Sequence, residues 1–162
     1  MNPTIIERIR QIPIFLDLSK DETRLKKIAE KLTTQKHKAG SQIICEGDEG
    51  DTLYILNSGS VRILRNTLDK ELFALVNLNA DQNIFFGEIA LIDNDRRSAT
   101  VTALTDCETL NFTRTNYLKL CEEDTYIGFK ITFQIALRLG ASLRKSSKDM
   151  ITMYQALLEE IS

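Results

Sequence analysis

Between residues 40 and 113 the chain never runs far without meeting a turn signal, and this punctuation restricts its fold more than any other feature. In GSQIICEGDEGDTLYILNSGSVRILRN, short apolar runs are broken by Gly47-Asp48, Gly50-Asp51 and Asn57-Ser58-Gly59. Such residues supply the backbone conformations and local hydrogen bonds that chain reversals need. Further strand candidates lie at 72–78, 98–104 and 107–112. Several short strands at this spacing suggest a small antiparallel barrel or double-sheet roll, which would also close its edges. The expected fold class is mainly β with flanking helices: an antiparallel double-sheet, jelly-roll-like β-barrel with N-terminal helices and a long C-terminal helix. One domain is expected over 1–162.

The flanks change period. In residues 1–39, Pro3 suits the first turn of a short helix carrying Ile5, Ile6 and Ile9, and Pro13 ends that pattern. Ser19 and Glu22 have capping-box spacing before Leu25, Ile28, Ala29 and Leu32, an amphipathic stripe. After the β region, Thr115 can cap a run from Asn116, opening the C-terminal helices of 115–162. From Tyr126 the positions Ile127, Ile131, Ile135, Leu139 and Leu143 recur every four residues, widened by Phe129, Phe133, Ala136 and Leu137. So broad an apolar arc must bury two sides. One can face the barrel and the other a second subunit, so a homodimer through this helix, or an effector protein, is an expected partner; the plainer alternative is a helix packed only on its own domain. Ser146, Ser147 and Asp149 offer a break before Met150, Tyr154, Leu157, Leu158 and Ile161.

Composition excludes several classes. Net charge is -2 with 27% charged residues, so no basic face for DNA is implied. About twenty residues follow Leu143, too few for a helix-turn-helix unit. No apolar stretch is long enough for a membrane span, and the N-terminus lacks a signal peptide's apolar region. The cysteines Cys45, Cys107 and Cys121 are odd in number and scattered, which suits free thiols in the cytoplasm. Cys45 and Cys107 lie in apolar runs and are expected in the core. The single histidine, His37, is expected on a solvated, lysine-rich helix exit. No nucleophile–base pair or metal-ligand cluster can be composed, so no enzyme activity is expected.

Chemistry concentrates in FFGEIALIDNDRRSAT, residues 85–100. An exposed turn around Asp93-Asn94-Asp95 would account for part of it. Three features point instead to a ligand. Gly87 lets backbone approach closely. Glu88 is flanked by Ile89, Ala90 and Leu91, an odd setting for a surface carboxylate. If Gly87 to Leu91 form one helical turn, its first amides face an anion, and a following arginine supplies a fork suited to phosphate. A carboxylate beside a phosphate makes sense if it accepts from a sugar hydroxyl. Strand alternation would put Arg96 and Arg97 on opposite faces without choosing between them.

FFGEIALIDNDRRSATV resembles the phosphate-binding cassette, here 85–101, of the cyclic nucleotide-binding domain family. IPIFLDLSKDETRLKKIAEKL and KAGSQIICEGDEGDTLYILNSGSVRI resemble its opening helices and first strands, extending the likeness from residue 8 to about 135. The resemblance implies a non-enzymatic sensor that binds cAMP, favoured over cGMP, as ligand and moves its C-terminal helix. The alternative it leaves is a ligand-free interaction module of the same fold. By the same resemblance Phe86, Gly87, Glu88, Ile89, Ala90, Arg97, Ser98 and Ala99 form the ligand site. Glu88 would hold the ribose 2'-hydroxyl and Arg97 the phosphate, while Arg96 occupies a turn position. Gly47, Gly50, Gly59 and Asp51 match turns that shape the roll. Gln134, Arg138 and Ser142 are candidate base contacts from the long helix.

Overall fold

The computed structural model describes residues 3–67, 72–93 and 95–161; Asn94, the centre of the expected acidic turn, lies outside them. The chain opens with helix α1 (Pro3–Arg10), a 3₁₀ helix (Pro13–Leu18) and α2 (Glu22–Glu30). Among the described residues eight strands follow: β1 (Thr33–His37), β2 (Gln42–Ile44), β3 (Thr52–Ser58), β4 (Ser60–Asn66), β5 (Leu72–Asn79), β6 (Phe85–Phe86), β7 (Thr100–Ala103) and β8 (Cys107–Thr113). A 3₁₀ turn (Glu88–Leu91) interrupts them after β6, and α3 (Arg114–Glu123) and α4 (Thr125–Ile161) close the chain.

The strands form two antiparallel four-stranded sheets, ordered β1-β8-β3-β6 and β2-β7-β4-β5. Each sheet is open, with two edges, and this overturns the expected mainly-β barrel. The fold is mixed: helical residues outnumber strand residues, and α4 alone runs for 37. Closure is not what manages the edges. Strand β6 is 2 residues long, β2 is 3, and the β1 edge is polar. Such edges offer little for another chain to pair with; the fourth edge, β5, differs in being 8 residues long with Phe73, Leu75 and Val76 exposed.

Burial follows the two-residue period of the strands. Leu53 and Ile55 on β3, with Leu110 and Phe112 on β8, face the helices, where they meet Phe15, Leu25, Ile28, Leu120 and Ile131. The opposite faces enclose Ile44, Leu56, Val61, Phe86, Val101 and Cys107 between the sheets. Adjacent Phe85 and Phe86 therefore enter different cores, which locks the strand that leads into the cassette.

Several local expectations change. Asp21, not Ser19, caps α2 by accepting from the Arg24 amide at 3.0 Å, and Ser19 ends the 3₁₀ helix. Thr113 rather than Thr115 caps α3, accepting from Asn116 at 3.2 Å. The β region begins at residue 33, so His37 sits on β1 with Nε2 3.0 Å from the Thr109 hydroxyl. Cys107 is buried, whereas Cys45 is only partly so. Helix α4 passes unbroken through Ser146, Ser147 and Asp149; Ser147 bonds back to the Leu143 carbonyl at 3.0 Å, so its hydroxyl does not compete for the helix. Of the four-residue stripe, Ile127, Ile131 and Ile135 are buried, while Leu139 and Leu143 are exposed.

The corner between α3 and α4 is pinned from α2. The Asp124 carboxylate takes Lys27 Nζ at 2.9 Å and Arg24 Nε at 3.2 Å, and the Arg24 guanidinium lies 4.6 Å from the centre of the Tyr126 ring. This aims α4 across the mouth of the cassette.

Candidate functional site

Strand β6 delivers the chain to Gly87, whose φ of 77° lies in the left-handed region that glycine tolerates best. The backbone reverses there into the Glu88–Leu91 turn, which buries Ala90 and Leu91. Of the amides expected at an anion, that of Ala90 already donates to the Gly87 carbonyl at 3.3 Å. The second half of the cassette is not a strand until Thr100, so alternation cannot separate the two arginines. Backbone pairing does. The Arg97 amide donates to Asp48 O at 2.8 Å, and Arg97 O accepts from Gly47 at 2.9 Å. These bonds turn the Arg97 side chain inward, half-buried. Arg96 is exposed and donates to the Gly47 carbonyl at 2.7 Å.

A cavity of about 370 Å³ opens beside this turn. That is within the range of small-molecule sites. Phe86, Gly87, Glu88, Ile89, Ala90, Arg97, Ser98 and Ala99 all line it, as does Arg138. Gln134 does not, and Ser142 borders a separate groove with Arg65 and Leu75. Ile44, Ile63 and Val101 form an apolar wall that no motif announces. Val101 pairs with Ile44 on one side and Ile63 on the other. Each residue shows strand alternation, but only cross-strand register brings them together.

The charges are arranged unevenly. The Arg97 guanidinium donates from Nη2 to the Thr52 carbonyl at 2.9 Å and from Nη1 to the Gly87 carbonyl at 3.4 Å, and lies 5.8 Å from the Tyr54 ring centre. No carboxylate forms an ion pair with it among the described residues. Burial accordingly pulls its pKa below the ordinary arginine value, against the opposing fields of Tyr54 and Asp51. Glu88, largely buried, is 2.8 Å from Arg138 Nε of α4. The Arg138 guanidinium also lies 4.3 Å from the Phe85 ring centre. Arg97 thus faces the cavity half-buried and without an ion-pair partner, Asp93, Asp95 and Arg96 line its exposed rim, and Arg138 joins the cassette to the long helix. Among the described residues there is no cluster of His, Cys, Asp or Glu suited to a metal ion.

The cyclic nucleotide-binding domain family matches residues 34–124, more than half of the chain. The chain is 32% identical over 112 residues to the cAMP-dependent protein kinase regulatory subunit of Aspergillus niger, covering 69% of this chain and 26% of that protein. It is 32% identical over 106 residues to the cGMP-dependent protein kinase, isozyme 1, of Drosophila melanogaster, covering 64% and 14%. The crystal structure of the Thermus thermophilus catabolite activator protein superposes with a TM-score of 0.75 at 28% identity, over 87% of this chain and 62% of that one. The chain thus spans about a quarter of the fungal regulatory subunit it matches.

Proposed function

The chain belongs to the cyclic nucleotide-binding domain family, and from that premise we propose that its cavity binds a cyclic mononucleotide and that α4 relays the event. The domain is a sensor and not an enzyme. The observation that carries the reading is Arg97, a half-buried guanidinium on the cavity wall with no carboxylate partner among the described residues. A desolvated cation of this kind favours an anion, and the arginine fork matches phosphate. Glu88 supplies the acceptor for the ribose 2'-hydroxyl. The apolar wall of Ile44, Ile63 and Val101 gives the rest of the nucleoside a dry surface. We favour cAMP over cGMP. Both nucleotides appear in the names of the relatives, and Ser98 suits either.

Arg138 is the most direct link from ligand to helix. It holds one Glu88 oxygen, so a ribose hydroxyl must share the carboxylate with it or displace it. Displacement would release α4 from the cassette, a population shift driven by differential contacts. The receiver is a second copy through α4 or a separate effector. Three unpaired thiols are in keeping with a cytoplasmic setting. Among the described residues, no helix is long and apolar enough to cross a membrane.

Isothermal titration with cAMP and cGMP tests the proposal. Binding of at least one is expected, weakened in Arg97→Ala by roughly tenfold to a hundredfold, since hydrogen bonds to charged groups contribute about 1.5–3 kcal/mol. Absence of heat with either nucleotide up to millimolar concentration would overturn it, and the interaction-module reading would take its place.

A further inference from the structure

The segment GDEGD contains two glycines that sequence alone treats alike. Their surroundings separate them. Gly47 has φ +88°, and a methyl group added there would meet nothing within 4 Å; its requirement is conformational. Gly50 has no positive φ, so alanine fits its backbone. What it lacks is space. A Cβ at Gly50 would stand 2.6 Å from Nη2 of Arg97 and 2.8 Å from its Cζ, with Nε closer still.

We propose that Gly50 is a positioning residue for the arginine of the cavity: its missing side chain is the seat against which the Arg97 guanidinium lies. The opposite wall is also a glycine. A Cβ on Gly87 would be 2.8 Å from Nη1 of Arg97 and 2.9 Å from the Thr52 carbonyl. The planar fork sits in a slot between two bare backbones, its donors on the carbonyls of Thr52 and Gly87. The slot cannot widen easily. Arg97 and residues 47–48 hold each other through two backbone bonds, and Asp51 O accepts from the Arg114 amide at 2.7 Å. With both backbones tied, a methyl group at position 50 displaces the flexible guanidinium, not the loop. The fork then leaves its carbonyl partners and the alignment they impose toward the cavity. Fixed alignment is what makes a buried donor effective, and small displacements are costly.

The inference rests on the reading of Arg97 as the anion-binding group, so its test has a readout that needs no nucleotide. Wild type, Gly50→Ala, Arg97→Ala and the double variant are titrated with cAMP, with Gly40→Ala, a positive-φ glycine of another turn with open space around it, as a control for turn strain. The Nε–H resonance of Arg97 is followed by ¹⁵N NMR in the ligand-free proteins. Gly50→Ala is expected to weaken cAMP binding about tenfold or more and to shift the Arg97 resonance. In the Arg97→Ala background it should add no further loss, which a merely structural defect would. Gly40→Ala should lower the thermal midpoint and leave affinity within about twofold. Gly50→Ala with wild-type affinity, or with an equal penalty in both backgrounds, overturns the inference. If wild type binds no cyclic nucleotide, the functional reading fails while the resonance still decides: a shift on Gly50→Ala supports the seat, and a superposable spectrum removes it.

Discussion

At the residue scale, the arginine doublet shows how two identical neighbours acquire different environments. Arg97 is drawn inward because its own amide and carbonyl are bonded to the Gly47–Asp48 turn, and Arg96 is left at the rim on the Gly47 carbonyl. Arg96→Ala is therefore expected to change cyclic nucleotide affinity by less than about threefold in a titration where Arg97→Ala causes a far larger loss. Equal losses would mean that both guanidinium groups reach the anion. Glu88 and Arg138 form the second residue-scale device. Arg138 is nearly half exposed, so solvent screens the pair and its removal should cost little stability. Its effect is expected in the coupling instead: Arg138→Ala should leave the thermal midpoint of the free protein nearly unchanged and shrink the ligand-induced change in α4, read by spin labels on the helix.

At the element scale, the polar line on β1 and β8 gives a pH dependence. His37 Nε2 faces the Thr109 hydroxyl, which donates to Asn111 Oδ1 at 2.7 Å, and Asn111 Nδ2 donates to Gln35 Oε1 at 2.7 Å. Because the Thr109 proton points to Asn111, His37 Nε2 must be the donor at its own contact. Burial lowers the His37 pKa below its ordinary 6.5. The fold thus prefers the neutral ring. Its contribution is complete above about pH 6.5 and falls as pH drops through that value toward the lower folded pKa. Thermal midpoints between about pH 7.5 and about pH 5.5 should decline in the wild type and decline less in His37→Gln. An equal decline in both would assign the effect to other groups. Helix α4 is the other informative element. Its inner face carries Ile127, Ile131 and Ile135, each essentially inaccessible. Truncating Ile131 to alanine leaves a cavity in the helix-side core, with an expected loss of about 2–5 kcal/mol in denaturant unfolding.

At the scale of the whole molecule, α4 has a second apolar face that the domain does not use. Phe129, Phe133, Leu143, Met150, Tyr154 and Leu157 are exposed and, with Tyr126, Ala136, Gly140 and Ser147, recur at alternating intervals of three and four. That is heptad spacing, the pattern by which α-helices pair, and the dimer proposed above would use it. Sedimentation equilibrium is expected to report a dimer, shifted toward monomer by Leu143→Glu with Leu157→Glu. A monomer at all concentrations in the wild type would direct the helix to a different partner. Arg138 lies between Ala136 and Gly140 of the same seam, so a dimer through it would be expected to respond to the Arg138–Glu88 pair.

Local chemistry was readable from the order of residues alone. Glycine turns, the Gly87–Glu88 pair, strand segments and the four-residue stripe all rest on near-neighbour rules of conformation and period, which act within a few positions of the chain. Helix starts were misplaced by two residues at Asp21 and Thr113, because several neighbouring side chains can cap and packing selects among them. The sheets stayed open, and α4 ran through its serines, because long-range packing decides closure and helix length; composition and local turns do not. Three features depend on residues far apart in sequence: the apolar wall of Ile44, Ile63 and Val101, the Arg138–Glu88 pair, and the seat of Arg97 on Gly50. The order of residues picked out the cassette candidates from Phe86 to Ala99, but not the apolar wall, and it put forward Gln134 and Ser142, which do not line the cavity. Which way each group faces follows from the fold, since cross-strand register and the bonds tying the turn at Gly47 and Asp48 to Arg97 act between distant segments and not along the chain.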